Sequence, residues 1–488
     1  MLKARGEVLD GIAAEDGGKA WLHKEVFRRI RAKSLAKARA ETKPVELSEY
    51  QTFLIGVQGV GPVGGERYDG EDGVMRVIEQ LEGIALPPSV WESSVLPARV
   101  RDYRPAMLDG LLSSGEIVWV GSKTTGSKAK EPGLVALHPA DSLLLTVQDG
   151  EKNGEAPGEP VTLPDAVMAV LAPGGAYHAN QLAGLTRAAW DASSECVDES
   201  TGEILPHPWS DSQFEEALWS LVWQGKVTNS SFDPLRSLGA SSHAVKAPAR
   251  ASRRRVRVRV SVPANMTGLW SAVPHADMQE ASAERVAIAR VEALLDRYGV
   301  IAPPMIDKER LDGGFSGLYP VLRRMEEHGA LMRGMFVSGC GAAQFASRQT
   351  VDALRACAAE PSAVVLDATD PANLYGSVIA WPRTIGGFSI RPARRSGASV
   401  VLRGGRLLAY AVPRSHHLLL AQDADPALQQ ACNELAYALQ RNLRDGGIRG
   451  GVTFCDANNE PLTERCEWSR MLRVAGFVPV PQGMKLYC

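Results

Sequence analysis

One order of signals recurs three times along the chain, and a repeat of this kind constrains a fold more than any single motif does. Each copy opens with an amphipathic helix ending near a glycine. A short apolar bridge and a second helix come next, then a third helix closed by glycine and a strand-like run. The opening helices lie at residues 74–81 before Gly83, 167–171 before Gly174 and 288–295 before Gly299, with apolar residues three and four positions apart. The closing helices end in Leu111-Leu112-Ser113-Ser114-Gly115, Leu221-Val222-Trp223-Gln224-Gly225 and Met325-Glu326-Glu327-His328-Gly329, and strand-like runs follow at 117–120, 227–228 and 331–337. A glycine there suits the left-handed cap that stops a helix and turns the chain back. Positions 115, 225 and 329 are 110 and 104 residues apart, so each copy has the size of one small domain.

Three helices and then a hairpin is the winged-helix order, in which the third helix can enter a major groove and the hairpin can touch the backbone. Any three-helix unit with a hairpin reads the same way, and such units also serve protein contacts. The second copy has the best local support, because Ser210-Asp211-Ser212-Gln213 reads as a capping box ahead of Phe214, Leu218 and Leu221. With 488 residues, the chain is too long for one core. From residue 362 onward the pattern turns β-rich: runs at 399–402 and 407–412 flank Arg403-Gly404-Gly405-Arg406, a good hairpin turn, and a helix spans 426–443. The expected fold class is α+β, tandem winged-helix modules followed by a C-terminal β-barrel-like or α+β domain. Its divisions are a basic helical segment at 1–68, winged-helix modules at 69–150 and 160–240, a basic strand and linker at 241–275, a third winged-helix module at 276–360 and the β-rich domain at 361–488.

The formal charge of −2 argues against a uniformly basic surface, so any affinity for nucleic acid has to come from local basic faces. One candidate runs from Lys19 to Arg39 as an amphipathic basic helix carrying Arg28 and Arg29. Phosphate contact is its functional reading and a solvated outer face the alternative. A second is Arg253-Arg254-Arg255-Val256-Arg257-Val258-Arg259, which as a strand sets Arg255, Arg257 and Arg259 on one face about 7 Å apart. That spacing can track a phosphate backbone, against the alternative of an edge strand protected by charge. Arginines also recur near the helix ends of the repeats: Arg99, Arg101 and Arg104 in the first, Arg236 after the second, and Arg323, Arg324 and Arg333 in the third.

Other chemistry is less well provided for. No phosphate-cradling loop of the G-x-x-x-x-G-K-[ST] type occurs; Gly17-Gly18-Lys19-Ala20 lacks the upstream glycine and the hydroxyl. Seven cysteines, with no C-x-x-C pair, read as reduced thiols, and no histidine lies at ligand spacing from a second metal ligand. His416 and His417 are adjacent inside an apolar run. Without an apolar run of 18 residues, neither a membrane span nor a membrane partner is expected, and the reading is cytoplasmic.

Several runs together resemble the C-terminal region of the bacterial large helicase-related (Lhr) proteins. They are Trp21-Leu22-His23-Lys24-Glu25-Val26-Phe27-Arg28-Arg29-Ile30, Leu96-Pro97-Ala98-Arg99-Val100, the stretch 217–225 with Val227-Thr228-Asn229 and Pro234-Leu235-Arg236, Gly313-Gly314-Phe315 before Tyr319-Pro320, residues 339–346, and the run 367–376 that contains Asp370. The resemblance covers nearly the whole chain. It implies winged-helix modules and a β-barrel from a DNA-repair helicase whose motor domains, the only part of the family to use ATP and Mg2+, are missing here; no cofactor is expected. The implied partners are DNA, single-stranded or duplex, at the bacterial nucleoid, the motor domains on the same or a neighbouring chain, and further copies in a homo-oligomer. Leu269-Trp270-Ser271 stands where the family usually has Arg-Trp-Ser, so the chain lacks that arginine and whatever it would touch. The chain is similar also to winged-helix DNA glycosylases. Removal of a damaged or uracil base would need a group that positions water, and Asp370 and Gln344 are the candidates, each with a structural alternative as turn former and buried hydrogen-bonder.

Overall fold

A computed structural model describes residues 8–13, 19–27, 29–30, 33, 43–61, 67–123, 132–145, 162–193, 209–241, 263–274, 282–309, 311, 313–357, 363–382, 391–421, 425–445, 451–463 and 466–487. These fall into two compact units, a smaller one of residues 1–50 and 299–357 and a larger one of 51–298 and 358–488.

The chain begins with an antiparallel pair, β1 (Val8–Ala13) and β2 (Lys19–His23), interrupted by an irregularity between Asp10 and Ile12. Here the structure corrects the start of the expected basic helix over Lys19–Arg39, whose first five residues are strand, while residues 28, 31–32 and 34–39 lie outside the described residues. The apolar residues Trp21 and Leu22 are adjacent, which fits a strand as well as a helix, and the β1 ladder supplies backbone partners that a helix would have to find within itself. Helical residues start at 24, and Val26 and Ile30 stand 44% and 52% exposed. Next comes α1 (Leu47–Val57).

The first winged-helix module comprises β3 (Tyr68–Asp69), α2 (Gly70–Gln80), a helical turn Pro88–Val90 that runs into the π-helical turn Trp91–Val95, β4 (Val100–Arg101), α3 (Pro105–Ser114), β5 (Ile117–Ser122) and β6 (Leu134–Pro139). Strands β5 and β6 form the wing, in register from Ile117↔Pro139 to Ser122↔Leu134. The second module has α4 (Leu163–Leu171), opened by a Thr162–Asp165 capping box, β7 (Tyr177–His178), α5 (Ala179–Ser193), α6 (Asp211–Trp223), β8 (Val227–Asn229), α7 (Asp233–Ser241) and β9 (Leu269–Ala272). As the capping signature predicts, Ser210 Oγ accepts from the Gln213 N–H at 3.2 Å. The two modules are not separate beads. One core runs from Val74 on α2 through Trp119 on β5 to Trp219 on α6 and Trp270 on β9, and Thr228 Oγ1 donates to the Trp119 carbonyl at 2.7 Å.

Helix α8 (Ala283–Tyr298) is tied to the first module by its last turn. The buried Arg297 side chain donates to the carbonyls of Gln80 and Glu82, while Arg76 meets Asp296 at 2.6 Å. The rest of the smaller unit holds β10 (Val300–Ile301), α9 (Pro303–Glu309), α10 (Gly314–Glu327), β11 (Met332–Gly334), β12 (Gln344–Ala346) and α11 (Arg348–Ala356). Its sheet order, β10-β12-β11, repeats the β7-β9-β8 order of the second module, with the last strand in the middle. The repeated glycines close their helices alike: Gly115, Gly225 and Gly329 have φ of 80°, 72° and 82°. In each case the next residue's N–H reaches back to Leu111, Leu221 or Met325, the two-bond cap that satisfies the last carbonyls of a helix.

The C-terminal part contains β13 (Ala363–Asp367), β14 (Ser399–Arg403), β15 (Arg406–Val412), β16 (His417–Leu420), α12 (Asp425–Asp445), β17 (Val452–Phe454), β18 (Asp456–Ala457), β19 (Glu460–Pro461), α13 (Glu467–Val474), β20 (Val478–Val480) and β21 (Gly483–Leu486). Six strands make one sheet in the order β13-β14-β15-β16-β18-β19, antiparallel except for β16–β18, and β17-β21-β20 make a second. Gly404 and Gly405, with φ of 52° and 70°, form the two-residue β14–β15 turn, whose backbone is open to few other residues. Helix α12 packs on one face of the larger sheet through Leu428, Ala431, Leu435 and Leu439, and the other face packs on Ile55, Val60, Ala98 and Tyr375. Burial on both sides is why Leu407–Val412 reads as an unbroken apolar run. Among the described residues the ends of this sheet, β13 and β19, do not pair, so the domain is α+β and no closed barrel forms. No described helix is long and apolar enough to cross a membrane.

Candidate nucleic-acid interface

The arginines expected at phosphate contacts divide by burial. Arg29, Arg101, Arg104, Arg323 and Arg324 are exposed. Arg104 stands just ahead of Pro105 at the start of α3, and Arg101 lies 3.5 Å from Asp69, both well solvated. Arg323 reaches Glu327 at 3.1 Å, but with side chains 66% and 59% exposed that pair is weak and leaves the guanidinium available. Arg333 is half-buried; it donates to Tyr319 Oη at 2.9 Å and lies over the rings of Tyr319 and Phe345. Arg28, Arg255, Arg257 and Arg259 lie outside the described residues.

Two expected contacts are corrected by the structure. Arg236 is held by three carboxylates, Glu92 at 2.6 Å and Asp109 and Asp233 at 2.7 Å each. Burial works against its charge, yet the hydrogen bonds and charge of these acids outweigh burial and raise its pKa. It joins α7 to the first module rather than meeting a phosphate. Arg99 is fully buried. Its Nη2 donates to Asp370 Oδ1 at 2.8 Å and to Gln58 Oε1 at 2.9 Å, and its Nη1 to Asp370 Oδ2 and the Val95 carbonyl at 3.0 Å each.

That pairing also corrects the role expected of Asp370. It is wholly buried, both oxygens face Arg99, and Oδ1 accepts a further bond from the Ala372 N–H. Neither oxygen can hold a water for attack on a nucleotide. The surrounding loop, residues 367–376, is clamped from several sides. Gln51 bonds the Ala372 carbonyl and the Leu374 N–H, Asn373 bonds the Ala368 carbonyl, and Arg394 donates to the carbonyls of Thr369, Asp370, Asn373 and Tyr375. Burial lowers the Arg394 pKa and raises that of Asp367, whose carboxyl accepts from the N–H groups of Thr369 and Gly397. The Arg99–Asp370 bond spans 271 positions, a partnership that residue spacing does not announce.

Gln344, the second candidate, is corrected on the same ground. Its Oε1 accepts from the N–H groups of Phe336 and Val337 and its Nε2 donates to the carbonyls of Val337 and Gly341, all between 2.7 and 2.9 Å. Fully buried and fully bonded, it shapes the loop between β11 and β12.

A histidine–carboxylate pair forms elsewhere. His417 Nδ1 lies 2.6 Å from Asp456 Oδ2, with the side chains 30% and 21% exposed, and Asp456 Oδ1 is buried without a partner. His417 is in register with Asp456 on β18, and Asp456 with Pro461 on β19, so the three side chains share one face of the sheet. Pro461 helps line a cavity of about 480 Å³ that also touches Cys455, Leu462, Thr463 and the β20–β21 turn. The adjacent histidines mark this place in the sequence, but their partner stands 39 residues away. Among the described residues no group of three or more His, Cys, Asp or Glu side chains could hold a metal ion.

Comparison with known proteins matches residues 45–140 and 280–365 to models of the large helicase-related protein winged-helix domain, the third and the fourth respectively. The chain is 38% identical over 498 residues to the Lhr helicase/uracil glycosylase of Escherichia coli, covering 95% of this chain and 30% of that protein. It is 36% identical over 507 residues to the Lhr helicase/probable uracil glycosylase of Mycolicibacterium smegmatis, covering 99% and 31%. It thus spans under a third of the curated relatives it matches. The Streptomyces sahachiroi DNA glycosylase AlkZ overlaps 85% of this chain and all of its own at 13% identity and a TM-score of 0.48, a likeness too loose to argue from. With both winged-helix matches in place and one relative aligned to nearly the whole chain, this protein belongs to the large helicase-related protein family, as the region that carries its third and fourth winged-helix domains.

Proposed function

We propose that this chain is the DNA-engaging region of a DNA-repair helicase and works with motor domains on the same or a neighbouring chain. The observation that carries the reading is the repeated helix, glycine cap and strand, with exposed Arg104 in the first module and exposed Arg323 and Arg324 on α10. Arginines on such helices fit phosphate oxygens in planar, paired geometry, and contacts of that kind set affinity without reading sequence. Binding to labelled single-stranded and duplex oligonucleotides should weaken steeply between 50 and 200 mM salt, by about tenfold or more if several phosphates are engaged. Affinity that stays flat across that range, or no binding with a stable oligomer seen by light scattering, would replace this reading with a protein scaffold.

A second reading, base removal, is supported by the names of the two relatives and by the His417–Asp456 pair. Asp456 orients the imidazole so that Nε2 can take a proton from water. The water oxygen then bonds to C1′ of the sugar, the glycosidic bond breaks with its electron pair going to the base, and the proton taken up by His417 is given back to neutralise the released base. The full chain should then form abasic sites in uracil-containing oligonucleotides. His417→Gln and Asp456→Asn should each cut the rate by about 100-fold or more at unchanged thermal stability. Wild-type rates in both variants would reject this pair.

A further inference from the structure

In a helix-turn-helix unit that reads DNA, the closing helix lies in the groove with its N-terminal residues toward the bases. In the second module that helix is α6, and its surface does not fit the task. Phe214, Leu218, Trp219, Leu221 and Val222 are buried, which leaves little of the helix to solvent beyond its first turns. The exposed residues of α6 are Asp211, Ser212, Gln213 and Glu216, two acids and no cation. Glu215, half-buried, accepts from Asn265. A phosphate backbone would meet negative charge along this face.

The far end of α6 is covered by the wing of the first module. A Cβ at Gly121 on β5 would stand 2.6 Å from the Val222 carbonyl oxygen, and one at Gly133, just ahead of β6, 2.8 Å from the Trp223 ring, so this approach requires glycine at both. The second module also grips the helices of the first. The Phe232 N–H donates to Asp109 Oδ1 on α3 at 3.1 Å, and Arg236 on α7 holds Asp109 Oδ2 together with both oxygens of Glu92 in the π-helical turn. Glu92 Oε1 accepts in addition from Tyr103 Oη at 3.3 Å, and Tyr103 immediately precedes Arg104, the exposed residue at the head of α3. Arg104 is thus bracketed by Tyr103 and Asp109, which both lead back to Arg236. Phe232, Leu235 and Leu238 fill the core that the two modules share, so the grip is built into the fold.

We infer that the second module is a brace and not a reader of DNA: α6 stays out of any groove, and Arg236 is a positioning residue that sets Arg104 for the phosphate contact of the first module. The inference rests on the reading that the chain engages DNA, and divides that work unequally among the repeated modules. A planar guanidinium can bond two acids on separate elements at once, which a lysine ammonium does with less geometric control. Through Asp109 it fixes α3, and through Glu92 it fixes the residue before Arg104. The Arg104 backbone is therefore ordered before DNA arrives, and binding has less freedom left to remove.

The test is fluorescence anisotropy of the full chain on a labelled blunt duplex, with thermal melting of each variant. Gln213→Glu keeps the capping signature of α6 and adds an acid to its exposed first turn. Affinity should stay within about twofold of wild type, whereas a helix seated in the groove would lose about tenfold or more to like-charge contact. Glu92→Gln with Asp109→Asn removes two acids beside α3, which by charge alone would tighten binding. As loss of the brace it should weaken binding roughly fivefold, and it should weaken it no further where Arg104→Gln is already present. If that pair melts below the assay temperature, Asp109→Asn alone takes its place. Tenfold weakening in Gln213→Glu would overturn the inference, as would wild-type or tighter binding in the folded pair, or a loss that persists undiminished beside Arg104→Gln. If Arg104→Gln leaves binding unchanged while Arg324→Gln weakens it, the positioning role is rejected and the DNA-engaging reading stands; if the wild-type chain binds no DNA, both fall.

Discussion

Arg99 and Asp370 show how one residue's role is set by what surrounds it. With 0% of either side chain exposed, two charges have been taken out of water, and only their mutual bonds and those from Gln58, Val95 and Ala372 offset the cost. Arg99 Nε has no acceptor, so the site is not even fully satisfied. Removing one partner is therefore costly. Arg99→Met should destabilise the larger unit by about 3–5 kcal/mol, read as a lower urea midpoint, while Arg99→Met with Asp370→Leu should cost less than the two single changes added. A single variant within about 1 kcal/mol of wild type would mean that the pair does not hold the loop. Arg104, five residues along, has the same chemistry and stays in solvent.

At the scale of the element, the glycine caps do the same work in three places but sit in different surroundings. A Cβ at Gly115 would meet nothing within 4 Å, so Gly115→Ala pays only for its left-handed φ of 80°, about 1–2 kcal/mol. At Gly225 a Cβ would also lie 3.1 Å from Val120 Cγ1 on the wing of the first module. Gly225→Ala should therefore lower the melting temperature further than Gly115→Ala does. Equal shifts would mean that the packing between the two modules yields without cost. The caps were legible because they depend on backbone conformation and immediate neighbours. The β2 strand was not, because Trp21 and Leu22 fit either period and pairing with β1 decided the matter.

For the whole molecule, net charge is a poor guide to binding. A total of −2 conceals exposed arginines on the winged helices. The expected steep salt dependence follows from these local faces and does not require a basic protein. Sharing of one core between the first two modules was not legible, since repeats imply modularity whether or not their cores merge.

By itself the sequence determined the repeated helix–cap–strand order, the β14–β15 turn at Gly404-Gly405 and the absence of a phosphate-cradling ATPase loop between residues 1 and 488. Each depends on residues close together in the chain, where helical period, positive φ and motif spacing act directly. Only the tertiary structure decided which polar groups meet water. It buried Arg99, Asp370 and Gln344, tied Arg236 to three acids, paired His417 with Asp456 and packed Trp381 against the buried Tyr375 and Tyr410. Burial and ion pairing arise between residues far apart in sequence, and a side chain's chemical type does not say whether a distant partner will cover it.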